Sequence, residues 1–145
     1  MLNTTYKSLI GGAVALLASH SAWALLPIEH WTQAGGAQVW LVNSPTIPMV
    51  DVQINFDAGS RRDPAAQAGL ASAAALMVAK GVKADGAQPA LDENAVGEAW
   101  ADLGANFQAG VSNDSLSYSL RSLTDATLLG KAADLAARQI AQPSY

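Results

Sequence analysis

The sequence predicts an α+β domain, a mainly antiparallel sheet covered by helices. Three observations carry this. Period-2 alternation of β-formers recurs in short stretches separated by turn residues. Alanine- and leucine-rich stretches bounded by glycine or aspartate read as helices. The predicted order is β-β-α-α-β-β-α, with strands and helices in pairs.

The first predicted strand is "AQVWLVNS" (Ala37 to Ser44), rich in β-formers. "PTIP" (Pro45 to Pro48) is a loop or edge turn. "MVDVQINFDAGS" (Met49 to Ser60) alternates cleanly: Val50, Val52, Ile54 and Phe56 point one way, and Asp51, Gln53, Asn55 and Asp57 the other. "RRDPAAQ" (Arg61 to Gln67) is a turn. "GLASAAALMVAKG" then reads as a helix that runs to about Lys80 and stops at Gly81. "KADGAQPA" (Lys83 to Ala90) is a loop. A second helix spans about Asp92 to Leu103, with Asp92 as N-cap and Gly104 ending it. "NFQAGVSNDSLSYSLRSL" (Asn106 to Leu123) gives two strands joined around Asn113 and Asp114. Thr124 and Asp125 open the last helix, whose apolar stripe is Leu128, Leu129, Ala132, Leu135, Ala136 and Ile140. The closing "AQPSY" follows directly on a helix that should pack on a sheet, which suggests a piece of a longer chain.

The 145 residues suffice for one modest domain or part of a larger one. Half are apolar and only 14% are charged, so the chain can bury a core. A net charge of −4 argues against a nucleic-acid partner, which wants a basic face. The absence of cysteine removes disulfides, iron–sulfur clusters, thiol nucleophiles and a lipoprotein anchor.

Residues 1–24 have the organisation of a secretory leader. Lys7 lies in a short polar head, Leu9 to Ala18 is apolar, and Ala22-Trp23-Ala24 fits the small-x-small cleavage rule. The apolar run is about half the roughly 20 residues a membrane span needs, so no span is expected. A buried N-terminal helix is the competing reading. Export to the periplasm or medium is expected, with residues 25–145 as the mature part and a net charge of −5 once Lys7 is lost.

Taken in order, "FDAGSRRDP", "GLASAAALMVAKG" and "DLGANFQAGVSNDSLSY" resemble the insulinase/pitrilysin family of zinc peptidases over roughly Gln38 to Tyr145. That family carries an inverted zinc motif, H-x-x-E-H, in a frame like G-L-A-H-x-x-E-H-M-x-x-x-G. Gly69, Leu70, Ala71, Met77 and Gly81 keep the frame. Ser72 stands at the first His position, Ala75 at the Glu and Leu76 at the second His. Spacing of i, i+3 and i+4 puts the three on one helix face. A catalytic zinc wants three protein ligands and a water; a neutral hydroxyl is a poor ligand, and a methyl and an isobutyl group are none. Without the Glu no base takes the proton of an attacking water. No metal, no catalytic residue and no cofactor are therefore expected at this helix. It is expected to pack as core instead: Ala73, Ala74 and Ala75 allowing close approach to the sheet, and Leu70, Leu76, Met77 and Val78 burying apolar area. A buried leucine in place of a ligand would add about 1–2 kcal/mol.

Other candidates are weaker. His30, beside Glu29, reads as a surface histidine. Arg61 and Arg62 could hold an anion or form a solvated turn in which Asp63 pairs with one arginine. Gly35-Gly36 lacks the strand–glycine–helix context of a phosphate loop. Asn113-Asp114-Ser115 matches a glycosylation acceptor but reads in an exported chain of this kind as hairpin turn chemistry. Ser72 has no neighbouring base to make it a nucleophile.

The resemblance implies a partial N-terminal domain of the insulinase/pitrilysin-like fold and a non-catalytic subunit. Such a subunit would pair with a catalytic homologue that keeps H-x-x-E-H, the two enclosing a peptide chamber. It also implies that the strand after the second helix borders the cleft. The matching residues run from Leu103 to Ala109, and Phe107, Gln108, Ala109 and Gly110 are the candidate peptide-binding edge. Gln108 stands where the family prefers Asn, but backbone pairing does not depend on that side chain. An active site outside this sequence and a purely structural scaffold role remain as alternatives.

Overall fold

A computed structural model describes residues 26–144, which form parts of two compact units divided after Pro45. The leader-like segment lies outside the described residues.

The first unit contributes a hairpin, β1 (Ile28–Thr32) and β2 (Gln38–Val42), antiparallel with His30 opposite Trp40. The sequence predicts only β2, because "IEHWT" mixes charge and aromatics without a clean alternation. The Gly35-Gly36 pair makes the turn: Gln33 N–H donates to Ala37 O and Gly36 N–H to Gln33 O, each at 2.8 Å. His30 is an exposed strand residue, its ring stacked on Trp40 with centroids 4.9 Å apart and Nε2 2.9 Å from Gln38 Oε1.

The second unit is built on a three-stranded antiparallel sheet of β3 (Met49–Phe56), β6 (Asn106–Val111) and β7 (Leu116–Leu123), in the order β3-β7-β6. Three helices follow the chain order expected: α1 (Leu70–Met77), α2 (Glu93–Asp102) and α3 (Ala126–Ala141). Two two-residue strands, β4 (Gly81–Val82) and β5 (Leu91–Asp92), pair with each other and flank the loop expected between α1 and α2. Strands this short leave no periodicity to read. The segment after α3 folds back on β4, with Lys83 N–H donating to Gln142 O at 2.9 Å and Ser144 N–H to Gly81 O at 3.0 Å.

Aspartates start the longer helices. Asp92 Oδ1 accepts from Ala95 N–H at 2.9 Å, and Asp125 Oδ1 accepts from Thr127 and Leu128 N–H at 3.0 Å. Val96 and Trp100 of α2, with Leu103 at its C-cap, meet Ala132, Leu135 and Ala136 of α3 over Leu120 of β7. Of the stripe predicted on α3, Ala132, Leu135 and Ala136 are core, Leu128 packs against it, and Leu129 and Ile140 are half-buried. Aromatic rings continue the core across the sheet: Trp100 stacks on Phe107 at 5.6 Å, Phe107 on Tyr118 at 5.8 Å, and Tyr118 meets Phe56 edge-on at 5.9 Å. Each such pair adds about 0.5–1.5 kcal/mol beyond burial.

The alternation of β3 is as expected, but its apolar side is not a buried face. Val52, Ile54 and Phe56 stay 38%, 39% and 44% exposed, because the helices cover β7 and β6 and stop short of β3. On the opposite face Arg121 grips Asp51 with two bonds, Nε–Oδ1 at 2.6 Å and a second of 3.0 Å, across the strand pair. The bond from Arg121, reinforced by its charge, holds the Asp51 carboxyl below its usual range and raises the guanidinium in turn.

Candidate functional site

The degenerate motif positions lie on α1, which has β6 beside it. α1 starts from Gly69, which has φ +94°, a left-handed backbone that favours glycine. No side chain in its first turn caps it. Asp63, six residues before Gly69, does so: its carboxylate accepts from Gly69 N–H at 2.9 Å and Ala71 N–H at 3.1 Å. A negative group there also suits the helix dipole. Asp63 thus does not pair with an arginine, as the sequence reading had it. Arg61 pairs with Asp114 at 2.8 Å and Arg62 with Asp57, so neither arginine is left over for an anion. The bond from Arg62, then its charge, lowers the Asp57 carboxyl below its ordinary range.

α1 gives way after Met77 to a 3-10 turn, Val78–Lys80, rather than running as one helix to Lys80. Its end is tied inward by Gln139, which is only 1% exposed. Gln139 Nε2 donates to Val78 O at 3.0 Å, and its Oε1 accepts from Trp100 Nε1 at 2.7 Å. Lys80 pairs with Glu93 at 2.6 Å on the surface.

Two of the three motif positions, Ser72 and Leu76, fall on the outer side of this helix. Ser72 is exposed, Ala75 is half-buried and Leu76 is 73% exposed. The expectation that the helix is core therefore fails in part. Ala71, Ala75, Met77 and Val78 turn inward, while Leu70, Ala73, Ala74 and Leu76 face out. The reason is geometric: inward packing takes one stripe of an eight-residue helix and leaves the remaining side chains outside it. The added stability assigned to a buried leucine does not apply.

α1 lies beside β6, the strand at one end of the sheet. Ser112 N–H donates to Ser115 O at 2.8 Å at the hairpin turn, where Ser112 Oγ also accepts from Ser115 N–H at 3.1 Å. The turn is thus Asn113-Asp114 chemistry, as expected. It also sets the hydrogen-bond phase. Asn106, Gln108 and Gly110 bond to Arg121, Ser119 and Ser117 of β7. The N–H and C=O groups of Phe107, Ala109 and Val111 point away from β7, toward the open edge. The four candidate edge residues, Phe107 to Gly110, therefore lie on the terminal strand next to α1, but only Phe107 and Ala109 among them offer backbone outward; Val111 completes the row.

A third element closes the site. Ser60 N–H donates to Ser112 O and Arg61 N–H to Asn113 O, both at 3.0 Å, docking the segment after β3 on the β6–β7 turn. Gly59 is buried in that contact. Sequence inspection missed Asp63 and Gln139 as anchors of α1, because both act across distance in the chain. The "RRDP" turn held a signal for Asp63, an aspartate upstream of an uncapped helix.

Chemically the site is quiet. α1 bears no titratable side chain, and among the described residues no three His, Cys, Asp or Glu side chains cluster to hold a metal. Among those residues, too, no helix is long and apolar enough to cross a membrane.

The family model described as Insulinase (Peptidase family M16) matches residues 38–144. No curated protein matches the chain. Among solved structures, the chain is similar to a peptidase M16 inactive domain from Pseudomonas fluorescens, with 32% identity and a TM-score of 0.74 over 83% of this chain and 27% of that one. It shares a fold with a protease from Helicobacter pylori, at 21% identity and TM-score 0.67, over 83% of this chain and 27% of that one. It shares one too with pitrilysin, at 23% identity and TM-score 0.67, over 84% of this chain and 12% of that one. The chain thus spans about a quarter of the first two and less of the third. With residues 38–144, most of its length, matched by the family model, the chain belongs to the insulinase family, peptidase family M16.

Proposed function

We propose that this chain is part of a non-catalytic insulinase-family subunit that is exported and pairs with a catalytic homologue to bind or process peptides. The observation that carries the reading is the helix itself. Its frame is intact and it sits beside an open strand edge, yet its three motif positions offer a hydroxyl, a methyl and an isobutyl group. None can ligate zinc with useful strength or act as a base. Likeness to a structure described as an inactive domain supports it. The open row on β6 supports peptide binding by strand addition, which needs backbone groups and no metal.

Metal analysis of the purified full-length protein tests the reading. Less than about a tenth of a zinc per chain at Ser72–Leu76 is expected, with no cleavage of unstructured peptides by the protein alone. Adding the homologue that keeps H-x-x-E-H should produce cleavage. The triple substitution Ser72→His, Ala75→Glu, Leu76→His should create zinc binding; failure to gain any would count against the register of the motif. The chain's span of about a quarter of its relatives' length favours one second reading, a catalytic zinc site elsewhere in a longer protein. Zinc that persists with residues 72–76 unchanged would support it. Stable pairing without peptidase activity would instead point to a scaffold.

Export rests on residues 1–24, with Lys7, the apolar run and the Ala22-Trp23-Ala24 site. N-terminal sequencing of the protein from the periplasm or medium should begin Leu25-Leu26-Pro27. An intact Met1 in the cytosol would refute it.

A further inference from the structure

We propose that Asp85-Gly86, at the tip of the loop joining β4 to β5, is a site of spontaneous isoaspartate formation, restrained by a clasp that Arg138 places on the loop. The inference is independent of the peptide-binding reading. The pair is the sole Asp-Gly or Asn-Gly in the sequence. Glycine matters twice there. Without a Cβ it leaves its nitrogen open to approach, and nothing lies within 4 Å of where a Cβ would be. Its φ of +54° also shapes a tight turn, closed by Asp85 N–H donating to Gln88 O at 3.0 Å and Gln88 N–H to Asp85 O at 2.9 Å. Asp85, Gly86 and Ala87 are all exposed. Among the described residues the Gly86 N–H has no acceptor. After Asp57, Asp102 and Asp114 the nitrogen is held instead: Ala58 N–H donates to Phe56 O, Leu103 N–H to Ala99 O and Ser115 N–H to Ser112 Oγ.

The ends of the loop are fixed while its tip is not. Arg138 Nη2 donates to Lys83 O at 3.1 Å and to Pro89 O at 2.7 Å, and Lys83 N–H donates to Gln142 O at 2.9 Å, so both ends are tied to α3 and the residue after it. The tip is closed by the Asp85–Gln88 bonds alone. When these open, the Gly86 nitrogen reaches Asp85 Cγ. The N–Cγ bond forms, and one carboxyl oxygen leaves as water with the amide proton and a proton from solvent. The resulting five-membered succinimide then takes up water. Opening at the Cα-side carbonyl leaves Gly86 joined through Cγ, which is isoaspartate with a free α-carboxylate; opening at Cγ restores aspartate. The extra methylene in the main chain keeps the Asp85–Gln88 pair from re-forming, and the Arg138 clasp confines the damage to the tip.

The test ages full-length protein for weeks at physiological temperature and neutral pH, then digests it. Isoaspartate is read by methyl transfer from S-adenosylmethionine with an isoaspartyl methyltransferase, and located by electron-based fragmentation of the peptides. Its level at position 85 should exceed that at Asp57, Asp102 or Asp114 by at least about tenfold. Asp85→Glu, whose longer side chain must close a six-membered imide, should abolish the signal at that position. Arg138→Met should speed the reaction by at least about threefold by releasing the loop ends. Wild-type protein held unfolded in urea sets the upper limit, and the native rate should fall below it. As much isoaspartate at 114 as at 85, or a signal that survives Asp85→Glu, would overturn the site. A native rate equal to the unfolded one, or no gain in speed with Arg138→Met, would overturn the restraint by the clasp.

Discussion

Gly59→Ala should destabilise the fold by about 3 kcal/mol, although alanine is ordinarily welcome at its backbone angles. Gly59 has φ −109° and ψ 177°, an extended conformation open to any residue. Its demand is for space alone. A Cβ built there would lie 2.2 Å from Asn113 O, 2.4 Å from Asn113 C and 2.5 Å from Asp114 N. All three atoms are backbone, so no side chain can rotate aside. Relief means pulling the segment after β3 off the β6–β7 turn, with loss of the Ser60–Ser112 and Arg61–Asn113 bonds. Gly69→Ala makes the informative control. At φ +94° with nothing within 4 Å of the added carbon, it should cost about 1–2 kcal/mol by backbone strain alone. Urea denaturation of the two variants separates the mechanisms. A Gly59→Ala loss no larger than that of Gly69→Ala would mean that the turn yields easily.

Element type was legible wherever local chemistry decides it: the alternation of β3, the Asp92 and Asp125 caps, and the stripe on α3 all signal within a few residues. The Asn113-Asp114 turn belongs with them. Burial was less legible, since it depends on what lies across the interface. Val52, Ile54 and Phe56 alternate as a core strand should, yet each stays more than a third exposed. Leu70 and Leu76 read as core by composition and lie on the outside of α1. The spacing of Ser72, Ala75 and Leu76 was legible too, but not which of them packing would cover: Ala75 is half-buried and the other two are exposed. What could not be read was how that helix is held. Asp63 reaches forward over a turn, and Gln139 arrives from the far end of the domain.

Gln139 supplies the other large effect. Gln139→Leu should cost about 2–4 kcal/mol, although it places a better apolar residue on the buried stripe of α3. The side chain bridges two groups that have left water. It accepts from the Trp100 indole N–H and donates to the Val78 carbonyl at the end of α1. Leucine fills the volume but leaves a donor and an acceptor unpaired, and each orphan carries its own desolvation penalty. Trp100→Phe removes the donor and much of a ring stacked on Phe107, so it is costly by itself. In combination with Gln139→Leu, however, the indole N–H is no longer stranded, and the pair should be less harmful than the two losses added, by about 1 kcal/mol. Strict additivity in that cycle would mean that the indole bond contributes nothing. The loss also has a local reading. With the Val78 carbonyl released, amide exchange should quicken along α1 more than along α2, whose Asp92 cap is untouched. A helix without ligands still has to stand in a fixed place beside β6, and the Gln139 bridge is the interaction that ties its C-terminal end to the core.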